Sequence, residues 1–295
     1  LAHLLSASRL ATDLLLRAPE VVGLLSDVKE LEPKSLEDLL REMSATAMRY
    51  DEPDRAVQAI RTVRSRELFR VAAADANGLL GVPGVCQALS DISDATISVA
   101  LQIAVASVEA TLGSSLPTRF SVIAMGRLGG QDVGYSSDAD AIFVHDPLPG
   151  ADEATATKAA TAVANELRRL LSLPCADPEL VIDADLRPEG RSGALVRSIA
   201  SYSAYYARWS SPWEAQALLR ARPLAGDESL SAEFMELIDP LRWPVDGISD
   251  PDVREVRRLK ARMESERLPK GADPSLHVKL GRGGLSDVEW VAQLL

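Results

Sequence analysis

The sequence predicts an α+β chain, mostly helical, in which a small α/β core sits between a helical N-terminal region and a helical C-terminal region. Three observations carry this. Apolar residues recur at helical spacing from residue 1 to about 113 with no convincing strand, three short apolar runs then follow, and helical spacing resumes after Gly193.

In order along the chain, Leu14, Leu15 and Leu16 close a first helical stretch before Pro19, and Pro33 with Ser35 announces a helix over about 36–50. Pro53 opens a long helix, about 55–77, in which Val57, Ile60, Val63, Leu68, Val71 and Ala72 keep helical spacing. Gly78, Gly81, Pro83 and Gly84 punctuate, and a helix over about 85–112 follows. The texture changes at Gly113-Ser114-Ser115. Residues 120–125 form an apolar, β-branched run that ends in Gly126, and 139–145 and 180–186 are two more such runs, so all three read as strands, with a helix over 154–173 between the last two. After Gly193 helices are expected over about 199–209, 212–222, 229–238 and 252–268. A glycine-rich turn at 281–284 then precedes a last helix capped by Ser286 and Asp287. The expected divisions are 1–115, 116–225 and 226–295.

With 295 residues, 32 Lys and Arg against 43 Asp and Glu, a net charge of -11 and 46% hydrophobic residues, the composition is that of a globular protein of about two domains, which excludes disorder, collagen and rod-like coiled coils. The acid excess argues against a nucleic-acid partner, which needs clustered Lys and Arg. It leaves a nucleotide open, because bound metal ions reverse the local sign of a carboxylate site. Cys86 and Cys175 lack paired-cysteine spacing, and no charged-then-apolar leader precedes them, so a reducing, cytoplasmic setting is expected. The most apolar stretch, 95–112, is broken by Gln102 and Glu109, and reads as a buried helix with no membrane role, since a span needs about 20 predominantly apolar residues. The chain opens on Leu1 and stops at Leu295 inside an apolar pattern, so it is expected to be part of a longer protein, with its C-terminal region truncated.

Three D-x-D pairs occur: Asp138/Asp140, Asp183/Asp185 and Asp250/Asp252. Residues two apart on a strand share a face, so the first two pairs, at the ends of apolar runs, would set carboxylates side by side. Asp250-Pro251-Asp252 is most simply a helix N-cap. Like charges this close need solvent, a shared proton or a cation, and an all-oxygen set suits Mg²⁺ together with substrate phosphates. Just upstream, Gly126-Arg127-Leu128-Gly129-Gly130 leaves a strand and returns through Gly134 to Ser137, where glycines let the backbone approach phosphate and Ser137 adds a hydroxyl. The P-loop and Rossmann glycine patterns are both absent from the sequence.

Met125-Gly-Arg-Leu-Gly-Gly-Gln-Asp-Val-Gly-Tyr-Ser-Ser-Asp-Ala-Asp140 resembles the signature of the glutamine-synthetase adenylyltransferases, a branch of the DNA polymerase beta-like nucleotidyltransferases. Three further blocks are similar to that family and lie in its order: Asp183-Ala-Asp-Leu-Arg-Pro-Glu-Gly-Arg-Ser-Gly193, Trp213-Glu-Ala-Gln-Ala-Leu-Leu-Arg-Ala-Arg222 with Gly226-Asp227, and Lys279-Leu-Gly-Arg-Gly-Gly-Leu-Ser-Asp-Val-Glu289. The resemblance implies a nucleotidyltransferase-type core. It also implies one of two related halves of a long polypeptide, one attaching AMP to a tyrosine of glutamine synthetase and the other removing it by phosphorolysis. Gly134-Tyr-Ser-Ser-Asp138 and Trp213-Glu-Ala-Gln-Ala-Leu218 look more like the C-terminal, adenylylating half. Two positions depart from the family pattern: Arg127 stands where Lys is frequent, and Asp185 where Arg is usual.

On this resemblance Asp138 and Asp140 would hold two Mg²⁺ ions against ATP. Asp183 would complete one metal site and take the tyrosine proton, with Asp185 able to share its role. Gly126, Arg127, Gly129, Gly130 and Ser137 would bind the nucleotide phosphates. The implied partners are glutamine synthetase, a PII-type nitrogen signal protein and glutamine as effector. Two alternatives stay open: the deadenylylating half, which would release ADP, and a module that only holds glutamine synthetase.

Other candidates carry plainer readings. Arg187, Arg191 and Arg197, and Arg220 and Arg222 with Glu214, read first as ion-pair groups. Tyr202, Tyr206, Trp209 and Trp213 read as core packing. His3, His145 and His277 have no zinc spacing. Lys279 and Glu289 read as domain packing.

Overall fold

The computed structural model describes residues 1–294 apart from 176, 210 and 270. Its N-terminal region is helical. Helices α1 (Ala2–Ala7) and α2 (Arg9–Arg17) lead through two short 3₁₀ turns into α3 (Leu36–Ala47), α4 (Pro53–Ala76) and α5 (Val82–Leu112). Ser35 caps α3 by accepting the Asp38 N–H. Pro53 and Pro83 occupy first turns, where a missing N–H costs nothing. At the other end of α5 the chain leaves the helix at Gly113, whose φ of 68° is the left-handed conformation that suits glycine.

The sheet begins with β1 (Thr118–Ala124), and a one-turn helix α6 (Gly126–Gly129) links it to β2 (Ala139–Pro147). Then come α7 (Glu153–Leu171), β3 (Ile182–Asp183), β4 (Val196–Ser198), α8 (Ile199–Trp209), α9 (Pro212–Leu218) and β5 (Arg222–Gly226). Strand order is β3-β2-β1-β5, with β4 joining the β3 edge of β2 further along; β1 is antiparallel to β2 and β5, and β3 and β4 run parallel to β2. The chain closes with α10 (Glu228–Arg242), α11 (Asp250–Glu266) and α12 (Leu285–Ala292).

Both faces of this sheet are covered, which is why its central strands carry apolar residues on both faces over 122–124 and 141–144. Phe120, Val122, Ala124, Ala141 and Phe143 join one core with α3, α4, α5 and α7. Ile123, Met125, Ile142 and Val144 join a second with Tyr202, Tyr206, Leu218, Leu230, Phe234 and Ile238. Alternation along β1 and β2 thus divides their side chains between two layers. By length and composition α5 is apolar enough to cross a membrane. Here it is the central core helix, packed on α3, α4, α7 and β5, with Ala95, Ile97, Ala100 and Ala104 fully buried.

The third apolar run is extended only at Ile182–Asp183, although a strand was expected over 180–186. The reason is a turn that starts at once: the Arg187 guanidinium donates to the carbonyls of Ala184, Arg191 and Gly193 and winds the chain around itself. The helix expected over 212–222 stops at Leu218, and Arg222–Gly226 is instead the edge strand β5, where Pro223 is tolerated because an edge has a row of N–H positions with no ladder partner. Of the aromatic stripe, Tyr202 and Tyr206 are buried and stacked with ring centroids 5.9 Å apart, whereas Trp209 is exposed. The last helix begins at Leu285, one residue before the expected cap. Asp287 lies in its first turn and accepts the Gly283 N–H.

Candidate active site

Asp138 immediately precedes β2 and Asp140 is its second residue, so the alternation of an extended chain turns both the same way. Strand β3 pairs beside them in parallel register, with Ala139 opposite Ile182 and Asp140 opposite Asp183. Side-chain oxygens of Asp138, Asp140 and Asp183 come within 4.8 Å of one another, and among the described residues this is the one group of metal-ligating side chains so gathered. Asp185 lies past the strand end. Its N–H donates to Asp183 Oδ1 at 2.7 Å and so orients that carboxylate, while its own carboxylate pairs with Arg187 and Arg191. In the third pair, Asp250 and Asp252 sit in the first turn of α11; the N-cap is Ser249, which accepts the Asp252 N–H.

Burial first, then the charges of Asp138 and Asp183, push the Asp140 carboxyl up to about 6, and Arg220 and Lys279 pull it the other way. Three acids held this close by strand register keep their charge most easily around a cation. The donors are all oxygen and remain partly open to solvent, which fits a hard ion that keeps water and takes substrate phosphate, as Mg²⁺ does.

The glycine turn lies directly against this cluster. Gly126 has φ 52°, and a Cβ built there would overlap the Asp140 carboxylate; at Gly129 it would overlap the Arg220 carbonyl oxygen. Met125 N–H donates to the Asp140 carbonyl at 2.8 Å, stitching the start of the turn to β2. Gly130 ends the turn at the surface, and the half-buried Arg127 makes no ion pair among the described residues. Ser137 Oγ accepts the Gly134 N–H at 3.0 Å, so its proton stays available to a ligand. The neighbouring Tyr135 hydroxyl donates to Asp75 Oδ2 at 2.9 Å and ties this loop to the end of α4.

Arg220 and Arg222 do not pair with Glu214, which instead completes a capping box with Ser211 and accepts from the Tyr205 hydroxyl. Arg220 reaches Asp132 at 3.3 Å and Glu289 of α12 at 3.8 Å. Arg222 pairs with Asp94 of α5 at 2.8 Å and donates to the carbonyls of Leu128 and Gly129. No local pattern marks Asp94, because it acts across the fold. Arg197 pairs with Glu189 and lies over the Tyr205 ring. The histidines all have other work: His3 meets the Ala76 carbonyl, His145 is buried between the hydroxyls of Thr118 and Thr157, and His277 accepts the Leu280 N–H. A cavity of about 670 Å³ lies elsewhere, among α9, α10, α11 and residues 292–294, and none of the three acids lines it. The acid cluster differs from that cavity in concentrating charge against a turn where a Cβ at Gly126 would overlap the Asp140 carboxylate.

A mixed sheet that brings two carboxylates, one just before and one within a strand, beside a third from its parallel neighbour, with a glycine turn packed on one of them, is a nucleotidyltransferase-type core. The chain belongs to the glutamate-ammonia ligase adenylyltransferase family, whose model matches residues 1–237. Relatives named bifunctional glutamine synthetase adenylyltransferase/adenylyl-removing enzyme align with all of it: 56% identical in Streptomyces coelicolor, 54% in Streptomyces avermitilis and 49% in Mycobacterium tuberculosis. The chain spans 31%, 31% and 30% of those relatives, under a third of their length.

Proposed function

We propose that this chain carries a centre that transfers AMP from ATP to a tyrosine hydroxyl of glutamine synthetase, with Mg²⁺ held by Asp138, Asp140 and Asp183. The observation that carries the reading is the convergence of those carboxylates on the Gly126 turn. The relatives' name supplies glutamine synthetase as target and AMP as the transferred group.

Gly126, Gly129 and Gly130 let the backbone come close to the β- and γ-phosphates, and Arg127 and Ser137 contribute a cation and a hydroxyl. When bound, Mg²⁺ supplies neutralisation of the triphosphate and of the charge that develops on the α-phosphate. Asp183, oriented through Oδ1 by the Asp185 N–H, accepts the tyrosine proton as the phenol oxygen bonds to the α-phosphorus and pyrophosphate departs. A phenol with a reference pKa of about 10 needs such a base at neutral pH. Positioning and charge do most of the work in such transfers. A cytoplasmic setting, glutamine as effector and a PII-type signal protein as partner belong to the same proposal.

The resemblance of Gly134-Tyr-Ser-Ser-Asp138 to the adenylylating half favours attachment over removal. Two incubations of the chain decide it. ATP, Mg²⁺ and unmodified glutamine synthetase are expected to yield the modified enzyme and pyrophosphate; adenylylated glutamine synthetase with inorganic phosphate is expected to yield little ADP. Substantial ADP without AMP attachment would assign the chain to the removing activity.

A further inference from the structure

Asp94 lies on α5, only 2% exposed, amid the apolar packing of the N-terminal helices. A carboxylate there is costly to bury unless it is paired, and burial does push it up to about 6 against the pull of Arg222. Its partner is Arg222 at 2.8 Å. The same guanidinium donates through Nη2 to the Leu128 carbonyl at 3.1 Å and through Nε to the Gly129 carbonyl at 3.4 Å. These carbonyls end the α6 turn, and helix-terminal carbonyls need partners from outside the helix. A planar guanidinium serves a carboxylate and two carbonyls together, which the single point charge of a lysine does not. At the opposite end of the turn, Gly126 rests on the Asp140 carboxylate. The turn is therefore clamped between a metal-site acid and an arginine whose direction is set by the helical region.

We infer that Asp94 and Arg222 are a positioning pair: α5, through Asp94, aims Arg222 at the glycine turn and so fixes the turn's place relative to Asp140 for nucleotide binding. The pair acts through the backbone carbonyls of the turn. The inference rests on the AMP-transfer reading and extends it to the helical region.

The test measures MgATP affinity by titration calorimetry, and the melting temperature, for the chain and for Asp94→Leu, Asp94→Asn and Arg222→Lys. Asp94→Leu and Arg222→Lys are expected to weaken MgATP by about tenfold. Asp94→Asn keeps an acceptor for Arg222 and is expected to stay within about threefold. A purely structural role would make affinity follow melting temperature; here Asp94→Leu is expected to lose affinity without losing its melting transition. A folded Asp94→Leu chain that binds MgATP as tightly as the parent would overturn the inference and leave the AMP-transfer reading standing. Affinity lost only in variants that no longer melt cooperatively would also overturn it. Failure of the parent chain itself to bind MgATP would overturn both.

Discussion

The Asp140 carboxylate fills the space into which a side chain on Gly126 would project, and Gly126 holds φ 52° to let it. The glycine turn and the Asp140 carboxylate are thus one packed unit. Gly126→Ala would meet steric overlap and a left-handed penalty of about 1 kcal/mol or more. The expected outcome is a lower melting temperature together with weaker binding of Mg²⁺ or Mn²⁺, read by calorimetry. Unchanged cation affinity would separate the two elements.

Asp94 makes stability depend on pH in a definite direction. Burial raises its folded value from 3.8 to about 6, more than Arg222 lowers it, and Asp91 adds in the same sense as burial. A raised folded value contributes stability that is complete below the unfolded value and is lost as pH rises through the folded one. Asp94→Asn is therefore expected to raise the melting temperature near neutral pH by a few degrees, with the difference closing as the pH falls from about 6 towards about 4. Melting curves across that range check it; a difference independent of pH would contradict the assignment.

Tyr135→Phe removes the hydroxyl that holds the loop before Asp138 to Asp75. The bond is exposed, so no more than about 1 kcal/mol of stability is at stake. The larger expected effect is on the site: a KM for MgATP raised by about three- to tenfold with kcat changed less. Steady-state kinetics with glutamine synthetase as acceptor would show it.

Asp177 is fully buried between Arg61 and Arg64, pairing with Arg61 at 2.8 Å, and it secures the approach to β3 against α4. Asp177→Ala strands two buried guanidinium groups, and a loss of about 3–5 kcal/mol is expected. Urea unfolding of the parent and variant measures it, and a loss below about 1 kcal/mol would contradict the burial argument.

Much of this architecture was legible because it is local. Pro53 and the spacing of Val57, Ile60 and Val63 announce α4, and the apolar runs that become β1 and β2 place Asp138 and Asp140 on one face. Strands β4 and β5 escaped because each has at most five residues and Pro223 disguises the second. Alternation could not separate Asp183 from Asp185, since residues two apart share a face on any strand. What separates them is where the strand stops, and Arg187 decides that by gathering carbonyls from the turn beyond. The link between Asp94 and Arg222 joins residues far apart in sequence, so only the folded chain displays it.

In the proposed function, Asp138, Asp140 and Asp183 carry metal-dependent AMP transfer. Its most direct measurement incubates the chain with ATP labelled at the α-phosphate, Mg²⁺ and glutamine synthetase, and compares Asp138→Asn with the parent. The parent is expected to label glutamine synthetase, to stop when the metal is chelated, and to lose at least about a hundredfold in rate on Asp138→Asn. Labelling that persists undiminished in Asp138→Asn would contradict the account.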